Sequence, residues 1–163
     1  MSVAGWWRLL AESGWGYPHW PLGRFGKSLS HQEHIEVERA RTTVGAFGVP
    51  NDVSVTLVAP TLMEHGDEVL IDRYLESIAT GQEMWCQLFS EPDAGSDLAG
   101  LRTLAERDGD RWIINGSKVW TTGGHASRRA VLMARTDLNA DRHAGISFFI
   151  IDMHQPGVSV SPL

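Results

Sequence analysis

The stretch WCQLFSEPDAGSDLAG, Trp85 to Gly100, is where the chain changes character. It opens with apolar residues that suit a strand, bends at Ser90, Glu91 and Pro92, and then runs through small residues to Asp97. A strand ending in such a loop exposes backbone N–H and C=O groups. Gly95 and Ser96 have little side chain to keep a ligand away, and Ser90 and Ser96 add hydroxyls that donate or accept. Before Trp85 the apolar spacing is that of helices, and after it the spacing is that of strands.

On the helical side, Val3, Trp6, Trp7 and Leu10 share a face over residues 3–12. The Gly- and Pro-rich SGWGYPHWPLGRFG then breaks that helix. Ser30 and Glu33 have capping-box spacing and open a helix expected to run to about Ala46. DVSVTLVAPTLMEHG and DEVLIDRYLESIATG read as two more helices. In the second, Val69, Leu70, Arg73, Tyr74 and Ile78 share a face, and Gly81 suits the left-handed position beyond its end. On the other side, GLRTLAERDGDRWIINGSKVWTTGG reads as consecutive strands joined at DGD and NG. AVLMART, GISFFIID and GVSVSP are three further strand candidates. The expected fold class is α+β: a helical N-terminal half, residues 1–84, followed by an incomplete antiparallel β-barrel or sandwich half, residues 85–163.

Composition narrows the function. The 163 residues are 42% hydrophobic and carry a formal net charge of −6, with no long basic run. That speaks against a nucleic-acid partner or a polybasic membrane module. No apolar run reaches the roughly 20 residues of a membrane helix, so no membrane insertion is expected. The start lacks signal-peptide features, and the single cysteine, Cys86, fits a reducing compartment, so a cytoplasmic location is expected. Seven tryptophans suggest large buried or stacking surfaces. PLGRFGKS, Pro21 to Ser28, ends like a P-loop, but Pro21 stands at the first glycine position and no strand leads into it. It reads as a glycine-rich surface loop. His31 and His34, with Glu33 and Glu36 nearby, read as a solvated helix face rather than a metal site.

KVWTTGG is expected to place Trp120 and Thr122 on one face of a strand neighbouring Gln87–Ser90. An indole beside a hydroxyl suits a flat heteroaromatic ligand. SEPDAGSDLAG together with DGDRWIINGSKVWTTGG closely resembles the middle domain of the FAD-dependent acyl-CoA dehydrogenases. APTLMEHGDEVLIDRYLESIATGQEMW is similar to the helix pair preceding that domain. LLAESGWGYPHWPLGRFGKSLSHQE and GISFFIIDMHQPGVSVSPL resemble segments before and after. The wording WCQLFSEPDAGSD is most like bacterial, especially actinobacterial, members, many of which handle bulky lipid or sterol-side-chain thioesters.

The resemblance implies a flavoprotein oxidoreductase of lipid metabolism, catalysing α,β-dehydrogenation of an acyl-CoA. A carboxylate takes the α-proton, hydride passes to FAD, and an electron-transfer flavoprotein collects the electrons. It implies that Gln87, Leu88 and Phe89 run their backbone beside the flavin, that Ser90 bonds its pyrimidine side, and that Gly95 and Ser96 lie by phosphates. Ser96 also touches the acyl-CoA substrate. Trp120 packs on the ring system, and Thr121 and Thr122 complete the cofactor contacts. Relatives often have Tyr or Ala where this chain has Gln87, and many have W-I-T where it has W-T-T. The family's catalytic base lies in a C-terminal domain beyond these residues, so no catalytic residue is assigned. Glu91 is expected to bond loop backbone and Asp97 to cap the loop. His125, after TTGG, is a candidate ligand contact, and Cys86 is expected as a half-buried strand residue. A truncated chain is expected to be inactive alone and marginal in stability, and to act in a homo- or hetero-oligomer. The alternatives are a non-catalytic remnant and an acyl-CoA-binding or scaffold protein without redox activity.

Overall fold

A computed structural model describes residues 1–161. They divide into two compact units, Met1–Met84 and one that begins at Trp85.

The first unit is helical. Helix α1, Val3–Ser13, is capped by the Ser2 hydroxyl and ends at Gly14 with φ +74°. Leu10 and Ala11 are buried, Trp6 and Trp7 are half-buried, and Val3 lies outside the core. The loop that follows folds onto Trp20. Tyr17 stacks on Trp20 at 4.1 Å, and the Tyr17 hydroxyl donates to Ala79 O. Helix α2, His31–Thr43, has the reciprocal capping box of Ser30 and Glu33. It stops three residues short of Ala46 because Val44 and Gly45 turn back onto Ala40, Thr42 and their neighbours. No residue of α2 is buried. The expected third helix is two segments: a wider π-helical turn over Ser54–Val58, anchored by Asp52 on the Ser54 amide, runs directly into α3, Ala59–His65. Helix α4, Glu68–Ala79, starts on an Asp67 cap, and Gly81 has φ +67° as expected. Its buried face is Ile71, Tyr74, Leu75 and Ile78, whereas Val69 is 73% exposed. Of the expected face, Tyr74 and Ile78 are buried, but Ile71 and Leu75 join them while Val69 and Arg73 face outward. Both choices satisfy helical spacing, and packing against the core selects between them.

The second unit is a five-stranded, open, mixed sheet. Its strands are β1 Trp85–Leu88, β2 Leu104–Asp108, β3 Arg111–Asn115, β4 Arg129–Arg135 and β5 Ile146–Asp152. β4 lies at the centre. It pairs antiparallel with β5 from Arg129↔Asp152 to Arg135↔Ile146, and parallel with β1 from Trp85↔Arg129 to Leu88↔Leu132. β2 meets β4 in parallel at Leu104↔Arg135 and forms a hairpin with β3 through a two-residue turn with Gly109 at φ +58°. The unit is thus not wholly antiparallel, because a long connection lets β1 lie alongside β4. Small residues on β4 make this possible: Ala130 packs with Cys86 and Met153, and Ala134 with Ala105 and Leu132. Two expected strands do not form. GVSVSP runs without ladder pairing through Ser161, and Pro162 lies outside the described residues. Lys118–Thr122 is also not a strand, and its path shapes the site.

Candidate functional site

Glu91 organises the loop that follows β1. Its side chain is 8% exposed overall, and its carboxylate accepts from the Arg102 amide at 2.7 Å, the Thr103 amide at 2.9 Å, the Thr103 hydroxyl at 2.6 Å and Lys118 Nζ at 2.8 Å. Burial on its own raises a carboxyl pKa. The Lys118, Thr103 and Arg102 donors outweigh it and bring Glu91 down from 4.5 to about 2. A carboxylate held this way, buried and bonded to four donors, is a structural anion whose low pKa makes it a weak base. Its expected role of bonding loop backbone matches this geometry.

The same ammonium explains why KVWTT is not a strand. Lys118 Nζ also donates to Phe89 O at 3.1 Å, and the Val119 amide donates to Ser90 O at 2.9 Å. Gly116 crosses directly over Thr103, where a Cβ would come within 2.2 Å of the threonine Oγ1. Residues 116–119 are therefore tied to the loop after β1 and cannot continue a hairpin from β3. Trp120 and Thr122 do not share a strand face. Trp120 instead has φ +59°, a left-handed conformation that a bulky residue adopts only under constraint, and it is 77% exposed. The chain then wraps around the Gly123 carbonyl, which accepts from the Ala126 and Ser127 amides and the Ser127 hydroxyl.

These contacts bring Phe89–Ser90 and Lys118–Val119 together, from motifs nearly thirty residues apart. Gln87 is exposed on β1, and Leu88 turns into the sheet core beside Ile151 and Phe149. Among the described strands only β4 pairs with β1, so the opposite edge of β1 carries no ladder. Phe89 and Ser90 are half-buried, and Phe89 meets Phe148 edge-on at 6.4 Å. Gly95 and Ser96 are exposed, and nothing lies within 4 Å of where a Cβ on Gly95 would sit. Thr122 and His125 are exposed, while Thr121 Oγ1 is buried with no partner among the described residues. Cys86 is fully buried, and burial pushes its thiol up from the ordinary value, so it is not a reactive thiolate. Asp97 is not a cap. No side-chain capping bond forms there, and its carboxylate pairs with Arg142 instead.

An open strand edge, a free space above Gly95, an outward-held indole and an unpartnered hydroxyl suit a flat, polar-edged ligand with a phosphate tail. The false P-loop does not. Its Arg24, Lys27 and Ser28 amides donate to Pro21, Pro18 and Trp20 carbonyls, and Lys27 Nζ sits over the Trp15 ring at 4.6 Å. Among the described residues no group of three His, Cys, Asp or Glu side chains is placed to hold a metal. Elsewhere in the first unit, a shallow cavity of about 410 Å³ is lined by Trp7, Phe47, Val49, Pro50 and Met84 with the polar Asp52 and Glu83. Sequence reasoning missed it, because its walls come from three separated segments.

Residues 86–163 match the family model described as acyl-CoA dehydrogenase, middle domain. The chain is 45% identical over 156 residues to acyl-CoA dehydrogenase FadE34 of Mycobacterium tuberculosis, covering 94% of this chain and 21% of that protein. It superposes on a solved structure titled Tcur3481-Tcur3483 steroid ACAD with a TM-score of 0.81 and 36% identity, over 98% of this chain and 41% of that one. A glutaryl-CoA dehydrogenase of Mycobacterium smegmatis, solved in complex with FADH2, matches at TM-score 0.65 and 27% identity, over 94% of this chain and 38% of that one. The chain therefore spans between about a fifth and two fifths of the length of these relatives.

Proposed function

The chain belongs to the acyl-CoA dehydrogenase family, and from that premise we propose that it forms the flavin-facing part of an enzyme that dehydrogenates an acyl-CoA thioester at Cα–Cβ. The observation that carries this reading is the bonding of Lys118 and Val119 to Phe89 and Ser90, which joins the two motifs into one surface. Bound FAD would supply the acceptor for the two electrons and hydrogen leaving Cβ. The chain's own residues would bind and orient. The free edge of β1 at Gln87–Phe89 and the Ser90 hydroxyl would meet the polar rim of the ring system. Trp120 would cover the ring and keep water from it, with Thr121 and Thr122 beside it. Gly95 and Ser96 would admit phosphates, and Ser96 would touch the thioester's carrier.

None of this chain's residues is assigned the α-proton. Glu91 is saturated by donors, and Asp97 is paired with Arg142. The base, an electron-transfer flavoprotein and an oligomeric partner belong to the proposal for the whole enzyme, as does a cytoplasmic setting. Among the described residues no helix is long and apolar enough to cross a membrane. The similarity to a steroid acyl-CoA dehydrogenase supports a bulky, polycyclic acyl group as the substrate class.

The test is the visible spectrum of the purified chain after incubation with excess FAD and removal of free cofactor. A retained flavin band that Trp120→Ala abolishes supports the reading. A band of equal strength in Trp120→Ala removes the proposed role of the indole. No band in either protein overturns flavin retention by these residues alone.

A further inference from the structure

An anion approaching Gly95 and Ser96 faces an electrostatic obstacle, because the same loop carries Asp93 and Asp97. The structure neutralises each with an arginine from outside the loop. Arg102 pairs with Asp93 at 3.2 Å, and Arg142 pairs with Asp97. The two arginines are not equivalent. Arg102 is 78% exposed and immediately follows the loop, so it has the freedom of an ordinary surface side chain. Arg142 comes from the separate loop between β4 and β5, and its carbonyl accepts from the Arg135 side chain. Arg135 on β4 donates to Ala99 O at 2.7 Å and also to Arg142 O at 3.3 and 3.4 Å. One guanidinium thus links the loop bearing Ser96 to the residue whose side chain pairs with Asp97.

The Arg142 side chain is nonetheless 67% exposed, and the described residues engage it only through Nη2. Its remaining N–H groups are left for a ligand beside Asp97, the residue that follows Ser96 in the chain. A planar fork of this kind matches a diphosphate, and a carboxylate partner keeps it extended until a stronger anion arrives.

Resting on the family reading above, we propose that Arg142 is a phosphate-reading residue for the ligand at Gly95–Ser96, with Asp97 as its resting partner. The ligand chemistry is an organic diphosphate. It could come from FAD or from the coenzyme A carrier, and the experiment separates the two sources.

Isothermal titration of the 163-residue chain with FAD and, separately, with coenzyme A is compared across wild type, Arg142→Gln, Arg142→Lys, Asp97→Asn and Arg107→Gln. Arg107 is an exposed strand residue that controls for net charge. Arg142→Gln is expected to weaken one of the two ligands about tenfold, with Arg142→Lys falling between it and wild type. Asp97→Asn is expected to tighten that same ligand a few-fold, because the fork no longer has to leave a carboxylate. The ligand affected names the source of the diphosphate. Arg142→Gln matching Arg107→Gln for both ligands overturns the inference and leaves the family reading intact. Wild type binding neither ligand overturns the inference and the binding role of the loop together.

Discussion

At the scale of single residues, the site is governed by one buried ion pair and one strained backbone position. Glu91 keeps its charge in the folded state down to about pH 2. Its folded pKa is depressed, so its contribution is full above the ordinary value of 4.5 and is lost as pH falls toward 2. The shift corresponds to about 3 kcal/mol. The urea midpoint of the β unit should therefore fall between about pH 5 and pH 2, and Glu91→Gln should flatten that slope. At pH 7 the same variant should cost about 3–5 kcal/mol, because Lys118 is left buried without its counter-charge. Trp120 offers the opposite test. Trp120→Gly removes a left-handed non-glycine residue whose side chain lies mostly in solvent, so stability should rise by up to about 1 kcal/mol while flavin retention is lost. A thermal melt and a flavin absorbance reading on one preparation measure both. The residue types at these positions were legible in the sequence. The left-handed turn at Trp120 was not, since it follows from Lys118 reaching a carboxylate 27 positions earlier.

At the scale of elements, local chemistry was read well wherever a few neighbouring residues decide the outcome. The Ser30–Glu33 box forms as spaced, and Ser30→Ala should cost about 1 kcal/mol in helix α2, seen as faster amide exchange in its first turn. Gly26 is a stricter case. A Cβ there would sit 2.1 Å from Trp20 O, so Gly26→Ala should destabilise the helical unit by about 2–4 kcal/mol. The surrounding PLGRFGKS only imitates a phosphate loop, and the sequence reads it as a glycine-rich surface loop. Its amides are in fact spent on Pro18, Pro21 and Trp20, so MgATP should produce no chemical-shift change in residues 18–29. The readings that failed concern facing and pairing. The α4 stripe and the KVWTT strand each had a periodicity compatible with more than one partner, and the choice was made by Ile71 and Leu75 in one case and by Gly116 over Thr103 in the other.

At the scale of the molecule, the β unit exposes apolar surface: Trp112 on β3 lies open beside Phe149, whose ring it meets edge-on at 5.4 Å. A patch of this kind favours association. Sedimentation of the 163-residue chain should show a concentration-dependent oligomer that Trp112→Lys shifts toward monomer. The amino-acid sequence by itself determined the α+β class, the change of periodicity near Trp85, the Ser30–Glu33 capping box and the family motifs, because these depend on spacings of a few residues. Only the tertiary structure decided that the sheet is mixed around β4, that Glu91 is a saturated anion rather than an acid, and that Arg142 reaches Asp97. Those outcomes depend on contacts between segments 11 to 45 residues apart. They are settled by which groups can be buried together with every hydrogen bond made, a condition that no local pattern encodes.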